Sequence, residues 1–173
     1  WEYAKANGQA AVTGLKSVED FKVLPNEERL RKIAAIKAKT TLARSCITLD
    51  ELTALGHNKW VTIGSHTITH PILKHCSISQ QEEELVGSRQ VLSGWLGKPV
   101  EYFAYPNGDY NADTLQLVKA SGYRMSFTDR HGKIQLPWTN TLEIPRNSLN
   151  DGGGYYENYS KLLGIWQKVF GEN

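Results

Sequence analysis

From residue 48 onward, short segments rich in β-branched and aromatic residues alternate with longer segments of helical periodicity. The segments with strand character are residues 59–64, 101–105, 123–128 and 142–144. Helical segments of about ten residues or more separate the first three of them. This alternation favours parallel strands joined by helical crossovers, an α/β architecture. Because ligands in such folds bind beyond the carboxyl ends of the strands, we searched those positions for functional residues.

Capping residues mark where the helices start. A side chain that can accept a hydrogen bond from the first turn precedes each helical segment, in two cases with an acidic residue three positions later. The predicted caps are Asn26, Thr48 with Glu51, Ser79 with Glu82, and Asn111. The pattern predicts a single domain over residues 1–173, with a helical insertion in 1–44 and a C-terminal helix in 150–173.

Composition excludes several classes of protein. Lys and Arg number 20 against 18 Asp and Glu, and this net charge of +2 lacks the basic surplus of a nucleic-acid-binding domain. No apolar run approaches the ~18 residues of a membrane span. The two cysteines cannot form a disulfide framework. We therefore expect a globular protein with no nucleic-acid partner and no membrane span in this chain.

Two histidines, His66 and His70, follow the first predicted strand in the string Gly-Ser-His-Thr-Ile-Thr-His-Pro. Pro71 disfavours helical backbone at His70, so we expect a strand that runs into a tight turn. Two imidazoles at this spacing suit the ligands of one metal ion. They equally suit plain hydrogen bonding in a polar turn, and the spacing alone leaves both interpretations open. The position at a strand's carboxyl end favours the ligand role.

A second string, Pro106-Asn107-Gly108, follows the next predicted strand. Proline fixes its own backbone, and Asn-Gly tolerates the dihedral angles of a tight turn. Such a turn can direct backbone N–H groups outward, where they could stabilise an oxyanion. The alternative is a turn that merely ends the strand.

Taken together, these strings resemble the polysaccharide deacetylase family, also called NodB-homology domains or family 4 carbohydrate esterases. The resemblance covers about residues 45–146 and is carried by residues 47–55, 63–73, 96–99, 102–108 and 120–123. It implies a distorted (β/α) barrel in which an aspartate and two histidines hold a divalent metal, typically zinc. It also implies an acetylated polysaccharide or oligosaccharide as substrate.

The resemblance assigns roles to individual residues. His66 and His70 correspond to the metal ligands, and the backbone N–H of Asn107 corresponds to the oxyanion donor. Three further residues are expected at the substrate groove: Tyr105, Pro106 and Tyr110. Trp138 is a further candidate, because an aromatic face can bind sugar, although it can also serve ordinary packing.

The chain also departs from the family pattern. The T-F-D-D motif, which supplies the metal-binding and catalytic-base aspartates, has no match and is expected upstream of Trp1. We therefore expect the first barrel strands to be missing, an exposed strand edge beside residues 59–64 that favours self-association, and no activity from this chain alone. If the chain were active without that motif, another carboxylate, for example Asp109 or Asp129, would complete the site.

Two positions differ within the matched region. Arg146 aligns with the family's acid histidine, and Ala104 stands where an arginine is usual. A guanidinium cannot act as a general acid near neutral pH, but it can hold a carboxylate or stabilise developing negative charge. His131 is another candidate acid; as a loop histidine it also suits a purely solvated position.

The predicted function is metal-dependent hydrolysis of acetyl groups, N- or O-linked, from a polysaccharide. For an N-acetyl group this breaks a carbon–nitrogen amide bond that is not a peptide bond. One alternative is a catalytically impaired domain of the same fold that binds carbohydrate or acts as a scaffold. Another is an unrelated metal-dependent hydrolase on a similar barrel. The sequence does not indicate a cellular compartment.

Overall fold

The computed structural model describes residues 2–5, 9–44, 46–134, 136–166 and 169. Helices make up the first part of the described chain, and two short strands alternate with helices in the second part. The helices are α1 (Glu2–Lys5), α2 (Gln9–Thr13), α3 (Val18–Lys22), α4 (Asn26–Lys37), α5 (Leu49–His57), α6 (Ile78–Leu96), α7 (Ala112–Ala120) and α8 (Tyr155–Leu163). The strands are β1 (Tyr102–Ala104) and β2 (Met125–Phe127), and 3₁₀ turns span Leu73–His75 and Pro106–Gly108.

A small parallel sheet forms the centre of the fold. Strand β1 pairs with β2 in parallel, with Phe103 opposite Ser126. Single parallel bridges extend this pair on both sides, from Ser65 to Phe103 and from Phe127 to Ile144. The parallel α/β arrangement predicted from the sequence is confirmed. Among the described residues the sheet does not close into a barrel, so the barrel remains a prediction.

The predicted strand at residues 59–64 is wrong. The segment turns where the N–H of Val61 donates to the carbonyl of Asn58, and it pairs with β1 only at Ser65. Ser65 donates to the carbonyl of Tyr102 (2.8 Å) and accepts from the N–H of Ala104 (2.9 Å). β-Branched residues favour a strand only where a neighbour pairs with them, and the described residues provide none before Ser65. The exposed strand edge expected there is not formed, and self-association remains a prediction.

Two predicted caps differ from the structure. Helix α6 is capped by Ser77, which forms the capping box with Gln80, two residues before the predicted pair. Helix α4 starts at Asn26 itself, whose side chain makes no cap. Its amide oxygen instead accepts hydrogen bonds from Arg29. The caps at Thr48 and Asn111 are confirmed.

Two hydrophobic clusters stabilise the described part of the chain. The larger one joins the sheet to α6 and α7 and comprises Leu73, Leu85, Val100, Phe103, Tyr105, Val118 and Tyr123. The smaller one, around Phe21 and Ile36, packs the N-terminal helices together. No helix in the described ranges is both long enough and apolar enough to cross a membrane.

Candidate active site

His66 follows Ser65 directly and is anchored to β1 through its ring. Its Nδ1 lies 2.7 Å from the carbonyl oxygen of Ala104. A carbonyl oxygen can only accept a hydrogen bond, so Nδ1 carries the proton. In the neutral ring this leaves the lone pair on Nε2 available, and the side chain is exposed. The Ala104 carbonyl therefore selects the tautomer in which Nε2 is the nitrogen available to bind a metal.

His70 lies against His66 at the other end of the turn. The ring centroids are 4.7 Å apart and the planes meet edge to face at 80°. Burial, and after it the positive charge that His66 carries when protonated, lower the pKa of His70 to about 4. A neutral imidazole is the form that binds metal, so the environment of His70 keeps it competent as a ligand over a wide pH range.

The described residues do not by themselves form a three-ligand metal site. Within the described ranges, no three His, Cys, Asp or Glu side chains lie close enough together to hold an ion. The two carboxylates considered above as a third ligand are engaged elsewhere, because Asp109 pairs with Lys74 and Asp129 pairs with Arg146. Two imidazole nitrogens suit zinc, and a catalytic zinc site generally has three protein ligands.

The Pro106–Gly108 turn begins two residues after the anchor at Ala104. Asn107 has left-handed backbone, with φ 52° and ψ 17°, and the buried ring of Pro106 precedes it. The N–H groups of Gly108 and Asp109 bond within the turn, to the carbonyls of Tyr105 and Pro106. Among the described residues, the backbone N–H of Asn107 has no acceptor, and its side-chain Nδ2 is buried without one. The turn thus holds two donors without acceptors among the described residues at the carboxyl end of β1, the backbone N–H of Asn107 and its buried Nδ2.

Arg146 is brought to the same turn through Asp129. Its Nε donates to the carbonyl of Thr128 (2.8 Å) and its Nη2 to the carboxylate of Asp129 (2.6 Å). Asp129 in turn lies against Gly108, where an added Cβ would meet the Asp129 Cβ at 2.8 Å. Arg146 therefore holds a carboxylate beside the turn that contains Asn107.

Tyr105 and Tyr110 occupy different environments. Tyr105 is fully buried, donates its hydroxyl to the carbonyl of Leu142 (2.9 Å) and contacts Ser126 Oγ. Burial raises its pKa to about 12. Its side chain therefore lies in the core and not on the surface of a groove, which corrects the substrate-contact role predicted for it. Tyr110 packs on Tyr105 with ring centroids 4.4 Å apart and remains partly exposed.

The remaining predicted residues lie farther along the chain or are buried. The ring of Pro106 is buried, so its part in the site is to shape the turn. Trp138 and His131 are each half-buried, and Trp138 Nε1 and His131 Nδ1 are buried without a hydrogen-bond partner among the described residues. The described contacts do not join either of them to His66 or His70, and their roles remain predictions.

A cavity of about 390 Å³ opens beside His66. Its surface is mainly apolar and comes from β1 and the neighbouring segments, including Gly64, His66, Tyr102, Phe103 and Phe127. The cavity gives the exposed His66 ring an open approach on one side.

Two charged residues that the sequence analysis missed contact the turn between the histidines. Glu84 on α6 and Arg29 on α4 are 6% and 5% exposed, and both bond to the backbone of this turn. The signal in the sequence was weak: Glu84 shares the buried face of α6 with Gln81, Leu85 and Ser88. A carboxylate at such a position usually has a specific partner.

Comparison with known proteins gives consistent results. A family model described as polysaccharide deacetylase matches residues 31–126, which include His66, His70 and Asn107 but not Trp138 or Arg146. YxkH of Bacillus subtilis (strain 168), whose name assigns it to the polysaccharide deacetylases, is 32% identical over 72 residues. That match covers 42% of this chain and 26% of YxkH.

Solved structures show the same likeness. The Streptococcus pyogenes deacetylase PplD, in complex with acetate, superposes with a TM-score of 0.58 at 26% identity, covering 69% of this chain and 50% of PplD. BC0361, a polysaccharide deacetylase from Bacillus cereus, superposes with a TM-score of 0.54 at 24% identity, covering 70% and 42%, and shows likeness of fold alone. The chain thus spans half or less of the length of these relatives.

Proposed function

This chain belongs to the polysaccharide deacetylase family, and on that premise we propose that it acts in removing acetyl groups from a polysaccharide. The observation that carries the proposal is the pairing of His66 and His70. Their rings lie edge to face at the carboxyl end of the parallel sheet, and Ala104 anchors one of them two residues before the Pro106 turn. This is the edge at which α/β folds bind their ligands.

We propose that His66 and His70 bind a divalent metal ion, zinc by the chemistry of their donors. The Nδ1 bond of His66 leaves Nε2 of the neutral ring facing away from Ala104 and available to the ion, and the low pKa of His70 keeps that ring neutral. A third ligand, a carboxylate, would come from outside the described residues. A zinc ion bound there supplies an activated water and polarises the acetyl carbonyl.

The chain's own residues position the reacting groups. The backbone N–H of Asn107 donates to the acetyl oxygen as negative charge develops on it. Asp129, held by Arg146, packs against Gly108 and fixes the turn that aims this N–H. Tyr110 offers a partly exposed ring to the sugar, and the buried ring of Tyr105 packs against it.

Hydrolysis adds water to the acetyl carbon and breaks its bond to the sugar nitrogen or oxygen, releasing acetate and a free amine or hydroxyl. The leaving group must gain a proton. Arg146 cannot supply it, because a guanidinium remains protonated at all relevant pH. We infer that another group performs this step, with His131 as the candidate in this chain.

The test is acetate release by the full-length protein from an N-acetylated oligosaccharide and, separately, from an O-acetylated polysaccharide. His66→Ala and His70→Ala should each lower turnover at least about 100-fold, since removing a ligand disables the site. His57→Ala is the matched control, an exposed histidine on α5 that should leave turnover unchanged. Binding of the oligosaccharide without acetate release would instead favour the carbohydrate-binding alternative, which Arg146 at the acid position supports.

A further inference from the structure

The turn that joins the two histidines has an unfavourable backbone. Thr67 and His70 both have positive φ angles, 69° and 54°. Residues with a Cβ avoid this left-handed region, and a β-branched residue such as Thr67 avoids it most strongly. Such a conformation persists only where the surroundings enforce it, and it tends to occur at functional sites.

Glu84 enforces the conformation from helix α6. Its Oε2 accepts hydrogen bonds from the backbone N–H of Ile68 (2.7 Å) and of Thr69 (2.9 Å), and its Oε1 accepts from the Thr69 hydroxyl. These bonds connect one buried carboxylate to the two residues that lie between the strained positions. Bonds to an ionised acceptor are about twice as strong as those between neutral groups.

Arg29 holds the same turn from helix α4. Its Nη2 donates to the carbonyl oxygen of Thr69 at 2.8 Å, and Asn26 orients the guanidinium by accepting from its Nε and Nη2. Burial lowers the pKa of Arg29, while the charge of Glu84 opposes that shift. The two buried charges therefore compensate each other across Thr69, whose N–H and carbonyl are both engaged.

We propose that Glu84 is a positioning residue that, with Arg29 as its counter-charge, holds residues 67–70 so that His66 and His70 can share one ion. The alternative is that Glu84 merely joins α6 to the turn with no effect on the histidine pair. The proposal rests on the proposed metal site only for its effect on zinc binding, because every hydrogen bond of the clamp joins protein groups alone.

The test compares Glu84→Gln with Glu83→Gln, an exposed glutamate on the same helix. In Glu84→Gln we expect amide hydrogen exchange at Ile68 and Thr69 to quicken at least about 10-fold and the nuclear Overhauser contact between the two imidazole rings to weaken. Zinc affinity, measured by calorimetry, should fall about 10- to 100-fold, the usual effect of losing a group that orients metal ligands. Glu83→Gln should match the wild type in all three measurements.

Glu84→Asp is the second variant, because it keeps the charge while withdrawing the carboxylate by one methylene. It should retain part of the protection at Ile68 and Thr69 and part of the zinc affinity. Unchanged ring contact and zinc affinity within about twofold of the wild type in a folded Glu84→Gln protein would overturn the proposal. If the wild type binds no zinc, the metal site fails, and the ring contact alone decides: its loss supports the role of Glu84 and its retention refutes it.

Discussion

The Nδ1–H of His66 donates a hydrogen bond to the carbonyl oxygen of Ala104, with a nitrogen-to-oxygen distance of 2.7 Å. This bond ties the histidine turn to the strand that leads into Pro106 and Asn107. It uses the backbone of residue 104, so the alanine that replaces the family's usual arginine still provides it. The string around His66 and the string around Asn107 are therefore connected by a direct hydrogen bond.

His70 should make the stability of the protein depend on pH. Its pKa is about 4 in the folded state, while an unfolded histidine titrates near 6.5. Between these values the unfolded chain binds more protons than the folded one, so the free energy of unfolding should fall as the pH is lowered from about 6.5 to 4. We expect a loss of about 1–2 kcal/mol, reduced from the full shift because solvent screens a half-buried ring.

Denaturant unfolding across this pH window measures the effect, and titration of the His70 ring by NMR measures its pKa directly. His70→Asn is the matched variant, since asparagine tolerates the left-handed backbone at this position. The variant should lose the His70 part of the pH dependence. A His70 titration midpoint near 6.5 would contradict the burial inferred here.

Gly108→Ala should disrupt the turn that presents Asn107. The φ of Gly108 is 66°, and a Cβ would lie 2.8 Å from the Asp129 Cβ and 3.2 Å from its backbone nitrogen. We expect a loss of about 1–3 kcal/mol in stability and a fall in acetate release by the full-length protein. Gly94→Ala on α6 is the control, because its Cβ would meet no atom within 4 Å. That variant should gain about 0.5–1 kcal/mol, and equal effects at both glycines would refute the close approach to Asp129.

Tyr105→Phe should affect stability more than catalysis. The hydroxyl of Tyr105 is buried and donates to the carbonyl of Leu142, so its loss leaves that acceptor with Ser126 alone and costs about 1–2 kcal/mol. Turnover by the full-length protein should stay within about threefold of wild type, because the side chain does not reach the surface. Tyr110→Ala should instead weaken substrate binding, which would appear as a raised KM. A large rise in KM for Tyr105→Phe would restore the substrate-contact role.

Local patterns predicted much of this fold, and non-local contacts account for the errors. Strands β1 and β2, the caps at Thr48 and Asn111 and the final helix near Tyr155 follow from residue preferences within a few positions. The segment 59–64 has equally strong strand preferences, but a strand also needs a paired neighbour, which no local pattern reveals.

The same limit applies to the candidate site. His66, His70 and Asn107 are recognisable because each lies in a short string directly after an extended segment. Glu84 was missed because the amides it binds lie 15 and 16 residues earlier in the chain. Its position on the buried face of α6 was the feature that could have identified it. Only the three-dimensional structure shows which groups bond to its carboxylate.

Zinc binding should reveal that the histidine pair lacks a ligand within the described residues. We expect residues 1–173 to bind zinc weakly, because two imidazoles leave water to fill the remaining coordination positions. A polypeptide extended upstream to include a carboxylate ligand should bind at least about 10-fold more tightly, and its acetate release should be lost with a chelator. Calorimetry and acetate assays on both polypeptides measure this difference, with His57→Ala as the control for adventitious histidine binding.

Tight binding and chelator-sensitive acetate release by residues 1–173 alone would instead place the third ligand within this chain. Asp109→Asn and Asp129→Asn would then identify it, since either carboxylate would have to leave its ion pair with Lys74 or Arg146 to reach the ion.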